Sequence, residues 1–223
     1  MGFRLSDRLF DIKKELKNGV DLGGGRGYCS KHILAETLQD LKVYDISQAM
    51  LDQVEGTPGV NVEKHLLQNE YVDLPENSQD VVISNLSLHW FNDLPGVFKN
   101  INIILKPDGV FLASLFGGET LYELRSALQL AEQERRGGLA PHLSPFTQIR
   151  DIGALLNRAG FTMLTIDTDE MVIGYPSMFE LLHDLRGMAE SNAAFNRPLT
   201  INRDVLIAAS SIYKEMYKKT NPE

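Results

Sequence analysis

The chain has 223 residues, 43% of them hydrophobic and 23% charged, enough for one large domain or a domain with a modest appendage. Its 22 Lys and Arg against 30 Asp and Glu give a net charge of −8, which argues against a surface built to grip phosphate backbones, so no nucleic-acid partner is expected. A single cysteine, Cys29, excludes an intrachain disulfide and thiolate-rich metal schemes, and no apolar run reaches the roughly 18–20 residues of a membrane span.

In chain order, the opening stretch Met1–Arg8 has no apolar signal core and too many acids nearby for a transit peptide. The first β-rich run, Val20-Asp21-Leu22, leads into Gly23-Gly24-Gly25-Arg26-Gly27 and then into a segment carrying Ile33, Leu34 and Leu38, read as a helix. A strand–glycine–helix junction exposes backbone N–H groups and a positive helix end, which suits an anionic or polar cofactor. The spacing is G-x-G-x-G rather than the G-x-G-x-x-G of dinucleotide binders, so a nicotinamide cofactor is disfavoured. A second strand, Leu41–Tyr44, ends at Asp45, where a carboxylate can accept both hydroxyls of a ribose.

A third short run, Val60–Val62, is followed by Leu67-Gln68-Asn69-Glu70, whose polar groups read equally as an adenine edge contact or as a solvated turn. The fourth run, Asp80–Ser84, ends in Asn85-Leu86-Ser87-Leu88-His89-Trp90. Ligands in doubly wound folds sit beyond the carboxyl ends of the strands, so His89 is the candidate acid, base or hydrogen-bond donor; a capping Asn85 with a packed His–Trp pair explains the same residues. Helical period follows at Val97, Phe98, Ile101, Ile104 and Leu105, then a Lys106-Pro107-Asp108-Gly109 turn, a fifth strand at Val110–Ala113, a helix at Ile149–Ala159 and a sixth strand at Met163–Ile166. This alternation predicts an α/β fold with a doubly wound, mostly parallel sheet. After Tyr175 only helical spacing remains, at Met178–Leu185 and Val205–Met216, so residues 1–173 are expected to form the α/β domain and 174–223 a helical extension packed on it.

His32, His65, His142 and His183 have no metal-ligand spacing, and no G-x-S-x-G elbow is present, so no metal site is expected and hydrolysis by a nucleophilic serine lacks support. What remains is group transfer with a bound small cofactor.

The run Asp21–Gly27, the acid Asp45 and the Leu-Lys-Pro-Asp-Gly turn resemble the class I S-adenosylmethionine-dependent methyltransferases. More narrowly, Ser87–Pro95, Phe116–Arg125, Pro141–Phe146 and Gly187–Asn192 resemble a methyltransferase-fold family of mitochondrial complex I assembly factors, described as protein arginine hydroxylases. The resemblance implies S-adenosylmethionine as cofactor, with Gly23, Gly25 and Gly27 along the methionine moiety, Asp45 on the ribose and Asn69 on the adenine. Asp21 and Asn85 complete the expected cofactor site, and His89 is the candidate catalytic group. It further implies a protein substrate, an arginine of a complex I core subunit, and a location in the mitochondrial matrix or on the matrix face of the inner membrane, with peripheral membrane contact at most. A non-catalytic assembly chaperone with a vestigial pocket and a carrier-protein carboxyl methyltransferase share the same motifs. Set against the family, the loop has Gly24 where cysteine is usual. The chain also begins without the N-terminal helix that lids the cofactor and stops at Glu223 before the final strand. A shortened form is therefore expected, with Met163–Val172 pairing elsewhere or leaving a sheet edge open.

Overall fold

The computed structural model describes residues 1–143, 146–192, 194 and 196–218, so Ser144, Pro145 and Glu223 of the segments named above lie outside the described residues. Two compact units are present, Met1–Phe116 with Thr147–Ile166, and Gly117–Phe146 with Asp167–Glu223.

In the first unit, strands β1 (Leu16–Leu22), β2 (Leu38–Asp45), β3 (Asn61–Leu66), β4 (Gln79–Asn85) and β5 (Leu105–Ser114) form one sheet in the order β3-β2-β1-β4-β5. Every pairing is parallel, as the α/β reading requires. Helices α1 (Gly2–Asp7), α2 (Gln48–Leu51), α3 (Leu94–Ile104) and α5 (Ile149–Arg158) belong to this unit. Alternate residues of a strand point to opposite faces, and both faces are covered: Val82 packs with Phe98 and Ile101 of α3, whereas Val81 and Ile83 pack with Leu38, Leu41 and Val43. Val81, Val82 and Ile83 are all fully buried, which is why β4 reads as a continuous apolar run rather than as an alternation.

The Lys106–Gly109 turn lies inside β5. Gln79 pairs with Leu105 and Val81 with Val110, so the turn loops out as a bulge between them, with Asp108 in the left-handed region at φ +62°. Asp80 anchors this end of the sheet. Its Oδ2 accepts from the Asn18 and Lys17 amides at 3.0 and 3.2 Å and from Lys106 Nζ at 2.9 Å.

Three expectations are corrected here. No α-helix follows the glycine turn; there is a 3-10 turn at Ser30–His32, and Leu38 already begins β2. One helical bond forms, from Lys31 N to Gly27 O at 3.2 Å, and the turn then stops; Ser30 Oγ donates to Gly27 O and Glu55 O, and Thr57 Oγ1 donates to Ile33 O. Met163–Ile166 is not a strand either. Met163 adopts φ +56° and is 98% exposed, a backbone that breaks an extended run, and among the described residues the sheet ends at β5. Finally, a short N-terminal helix is present. α1 packs so closely on the segment after the glycines that a side chain at Gly2 would lie 2.1 Å from Tyr28 O, and Ser6 Oγ donates to Cys29 O at 3.2 Å.

The second unit contains α4 (Tyr122–Arg136), α6 (Met178–Gly187) and α7 (Arg203–Tyr217). Its interior is Leu124, Leu128 and Ala131 of α4 with Met178, Leu181, Leu185, Val205, Ala208 and Ala209. Ser177 caps α6 by accepting from Phe179 N, and Asn202 caps α7 by accepting from Asp204 N. A buried polar cluster sits beside this core: His142 bonds Glu132 Oε1 through Nε2 at 2.9 Å and Asn192 Oδ1 through Nδ1 at 3.2 Å.

Candidate functional site

The carboxyl ends of β1, β2 and β4 bring Asp21, the glycine turn, Asp45 and Asn85 to one edge of the sheet. Gly23, Gly25 and Gly27 all have positive φ, at +70°, +56° and +79°. Gly23 is also a close approach: a Cβ there would lie 1.8 Å from Ser87 Oγ. At Gly25 the nearest atoms to such a Cβ are Tyr28 and Met50 at 3.9 and 4.0 Å, so glycine is required there by the backbone and not by crowding.

The turn's amides are not the open cradle that the sequence suggests. Gly23 N and Gly24 N both donate to Tyr44 O, at 2.8 and 3.1 Å, and Gly27 N donates to Gly24 O at 3.0 Å. Gly25 N donates to Asp45 Oδ2 at 2.9 Å, while Asp45 Oδ1 accepts from Ser47 N at 2.9 Å. With no α-helix behind the turn, there is no helix end to add its partial charge. The polar handle of the site is therefore the Asp45 carboxylate, oriented by one amide on each oxygen and keeping a lone-pair direction on each.

Asp21 lies under the turn. It is fully buried, and neither carboxylate oxygen has a hydrogen-bond partner among the described residues. Burial, reinforced by the nearby negative charge of Asp45, pushes its pKa up to about 7. The Cys29 thiol is pushed up to about 12, chiefly by burial and further by Asp21, which makes it an inert packing group rather than a nucleophile.

Asn69 follows β3 and its Oδ1 accepts from Tyr71 N at 2.9 Å, closing a local turn. The neighbouring Glu70 accepts from the Asn92 and Asp93 amides at 2.8 and 2.7 Å, tying this turn to the segment before α3. Asn85 Oδ1 accepts from Ser114 Oγ at 2.9 Å and so joins the ends of β4 and β5. His89 lies in a 3-10 turn, Leu88–Trp90, with its ring 5.3 Å from Trp90 and 5.4 Å from Phe116. Sequence reasoning missed Ile46, 78% exposed directly after Asp45, together with Tyr28 and Met50 beside Gly25. An apolar side chain left in solvent next to a strand-end acid is the signal that would have found Ile46.

A family model described as a methyltransferase domain matches residues 3–166. The chain belongs to that family. The human protein named "Arginine-hydroxylase NDUFAF5, mitochondrial" is 50% identical over 220 residues, which cover 98% of this chain and 63% of that protein. The malonyl-[acyl-carrier protein] O-methyltransferase of Halorhodospira halophila is 29% identical over 199 residues, covering 87% of this chain and 65% of that one. The chain thus spans less than two thirds of the length of either relative. Among solved structures, a SAM-dependent methyltransferase from Leishmania major superposes with a TM-score of 0.52 at 17% identity, over 71% of this chain and 61% of that one, a likeness of fold. No helix among the described residues is long and apolar enough to cross a membrane.

Proposed function

We propose that this methyltransferase-family chain is the S-adenosylmethionine-binding part of a mitochondrial enzyme that modifies an arginine of a complex I core subunit. The observation that carries the reading is the Asp45 carboxylate, fixed at the strand end by Gly25 N and Ser47 N with an acceptor direction left on each oxygen. Two carboxylate oxygens at a strand end, each with acceptor capacity left, suit a vicinal diol such as a ribose. Gly23, Gly25 and Gly27 keep side chains off the turn, Tyr28 and Met50 bound it beside Gly25, and Ile46 offers an exposed apolar surface for a base. Asn69, with its carbonyl already used by Tyr71 N, keeps its amide protons for the edge of that base. When bound, S-adenosylmethionine supplies an activated methyl group on a cationic sulfur. Asn85 and His89 at the end of β4 are the chain's own groups for orienting an acceptor. The name of the 50% identical human protein supports arginine as the acceptor and the mitochondrion as the compartment.

Calorimetry tests the cofactor. S-adenosylmethionine should bind the full chain, and Asp45→Ala should weaken it by about 1.5–3 kcal/mol, the range for hydrogen bonds to a charged group. Undiminished affinity in that variant removes Asp45 from the site. Mass spectrometry of complex I subunits from cells with and without the protein then separates a gained oxygen from a gained methyl group. One observation favours a second reading: the turn's amides bond inside the protein, as in a scaffold that keeps the fold for docking alone. Wild-type protein that binds no S-adenosylmethionine would support that assembly role.

A further inference from the structure

In the helical unit the geometry fixes where protons lie. Asn192 Nδ2 donates to Pro198 O at 3.0 Å; a carbonyl oxygen only accepts, so the amide nitrogen faces it and Oδ1 faces the His142 ring. Oδ1 also only accepts, and it lies 3.2 Å from Nδ1, so Nδ1 carries a proton. A neutral imidazole then has a bare Nε2, and Nε2 lies 2.9 Å from Glu132 Oε1. An ionised carboxylate there would set lone pair against lone pair, where both side chains are buried. One more proton resolves the contact, whether written as imidazolium with carboxylate or as imidazole with carboxylic acid. Three parts of the unit meet at this ring: Glu132 is on α4, His142 follows that helix, and Asn192 lies after α6, tied by Pro198 to the segment leading into α7. The ionisable groups nearest in sequence to these partners are Glu134, Arg135 and Arg136 on α4, Glu190, buried after α6, and Arg197, which donates to Ala194 O at 3.1 Å.

We infer that Glu132 and His142 form a proton-held latch: the pair keeps one shared proton at neutral pH, that proton fastens the segments after α4 and after α6 to α4, and its loss as pH rises releases both. The latch is independent of the cofactor reading. In an unfolded chain the carboxyl is ionised and the imidazole neutral above about pH 6.5, so the pair holds no proton there. The folded state then binds one proton more than the unfolded one, and stability falls as pH rises. Glu132→Gln isolates that proton. Its amide N–H donates to the bare Nε2 of a neutral His142 while Nδ1–H still reaches Asn192, so both ring nitrogens are satisfied with no shared proton to lose.

Urea unfolding of the full chain between about pH 6.5 and 8 is the test. Over that window the unfolding constant of the wild type should rise about tenfold relative to Glu132→Gln, the linkage of one proton. Comparing the two cancels Asp21 and Cys29, whose raised values are common to both. Hydrogen exchange, relative to the intrinsic rate, should show residues 138–143 and 188–192 losing protection in the wild type but not in the variant. Parallel pH profiles in the two proteins, or unchanged protection in the wild type, overturn the latch. Glu190→Gln should retain the rise; its disappearance there assigns the proton to Glu190 and overturns the latch too. Should Glu132→Gln not fold, the nitrogen spectrum of histidine-labelled wild type at about pH 7 decides. Proton-bearing or strongly bonded shifts at both His142 nitrogens support the latch, and the shift of a bare imidazole nitrogen at either one overturns it.

Discussion

Gly23→Ala is the substitution that the geometry of the turn resolves most sharply. Gly23 has φ +70°, and a methyl group on its Cα would lie 1.8 Å from Ser87 Oγ and 2.6 Å from Ser87 Cβ. Two costs add. Holding an alanine in the left-handed region costs about 1–2 kcal/mol. Rotating the Ser87 hydroxyl relieves only the contact with Oγ; the contact with Cβ requires the backbone after β4 to move, an overpacking cost of about 1–3 kcal/mol. Gly23→Ala should therefore destabilise the protein by about 2–5 kcal/mol in total. Ser87→Gly removes both clashing atoms, so in that background the same change should cost only the backbone part, leaving a coupling of about 1–3 kcal/mol between the two sites. Urea unfolding followed through Trp90, the chain's single tryptophan and three residues from Ser87, reads both ends of the cycle. If Gly23→Ala is equally destabilising with and without Ser87, then the turn is not held against β4's end as described.

Other perturbations test the remaining polar groups. Burial alone would raise the Asp80 carboxyl, but Lys106 and the Asn18 and Lys17 amides outweigh it and hold its pKa below the ordinary carboxylate value. Its stabilisation is therefore complete above the unfolded pKa of about 3.9 and is lost as pH falls through the lower folded value. Asp80→Asn should cost about 1.5–3 kcal/mol at neutral pH, and the gap to wild type should close on acidification below about pH 4; a gap independent of pH would refute the ionic account. In the helical unit, His142→Ala strips Glu132, 2% exposed, of its imidazole partner and should destabilise by about 3–5 kcal/mol. Replacing Glu132 and His142 together with leucine should recover much of that loss in thermal unfolding, whereas a double variant no better than the single one would show that the packing, and not the orphaned carboxylate, carries the effect.

The strands were legible because parallel strands covered on both faces leave runs such as Asp80–Ser84, and α3 and α5 because each buries one face. α4 was not read, because its apolar positions, Leu124, Ala127, Leu128 and Ala131, lie in a segment otherwise rich in charge, and two of the four are alanines with little hydrophobic signal. The apolar spacing of Ile33, Leu34 and Leu38 suggests a helix after the glycines, but the segment is fixed by contacts distant in sequence, Ser30 Oγ to Glu55 O and Thr57 Oγ1 to Ile33 O, which no local spacing announces. Site residues divide the same way. Glycines at a strand end and an acid at the next strand end are visible as types in order; which atoms their amides meet depends on the register of β1 against β2, Leu22 opposite Tyr44, and so on a pairing 22 residues apart.

Two aspartates near opposite ends of the same sheet show what separates scaffold from site. Asp80 and Asp21 are both buried and both belong to central strands that pair with each other. Asp80, near the amino ends, receives two amides and a lysine, and the price of its burial is met within the fold. Asp21, at the carboxyl ends, receives nothing among the described residues and sits beneath a turn whose glycines keep side chains away. Core packing does not account for the second arrangement, since an asparagine, leucine or valine at that point would cost less. Asp21 thus carries a burial cost that no hydrogen bond among the described residues offsets, and that is the difference between an acid built into the scaffold and one left at the carboxyl end of the sheet.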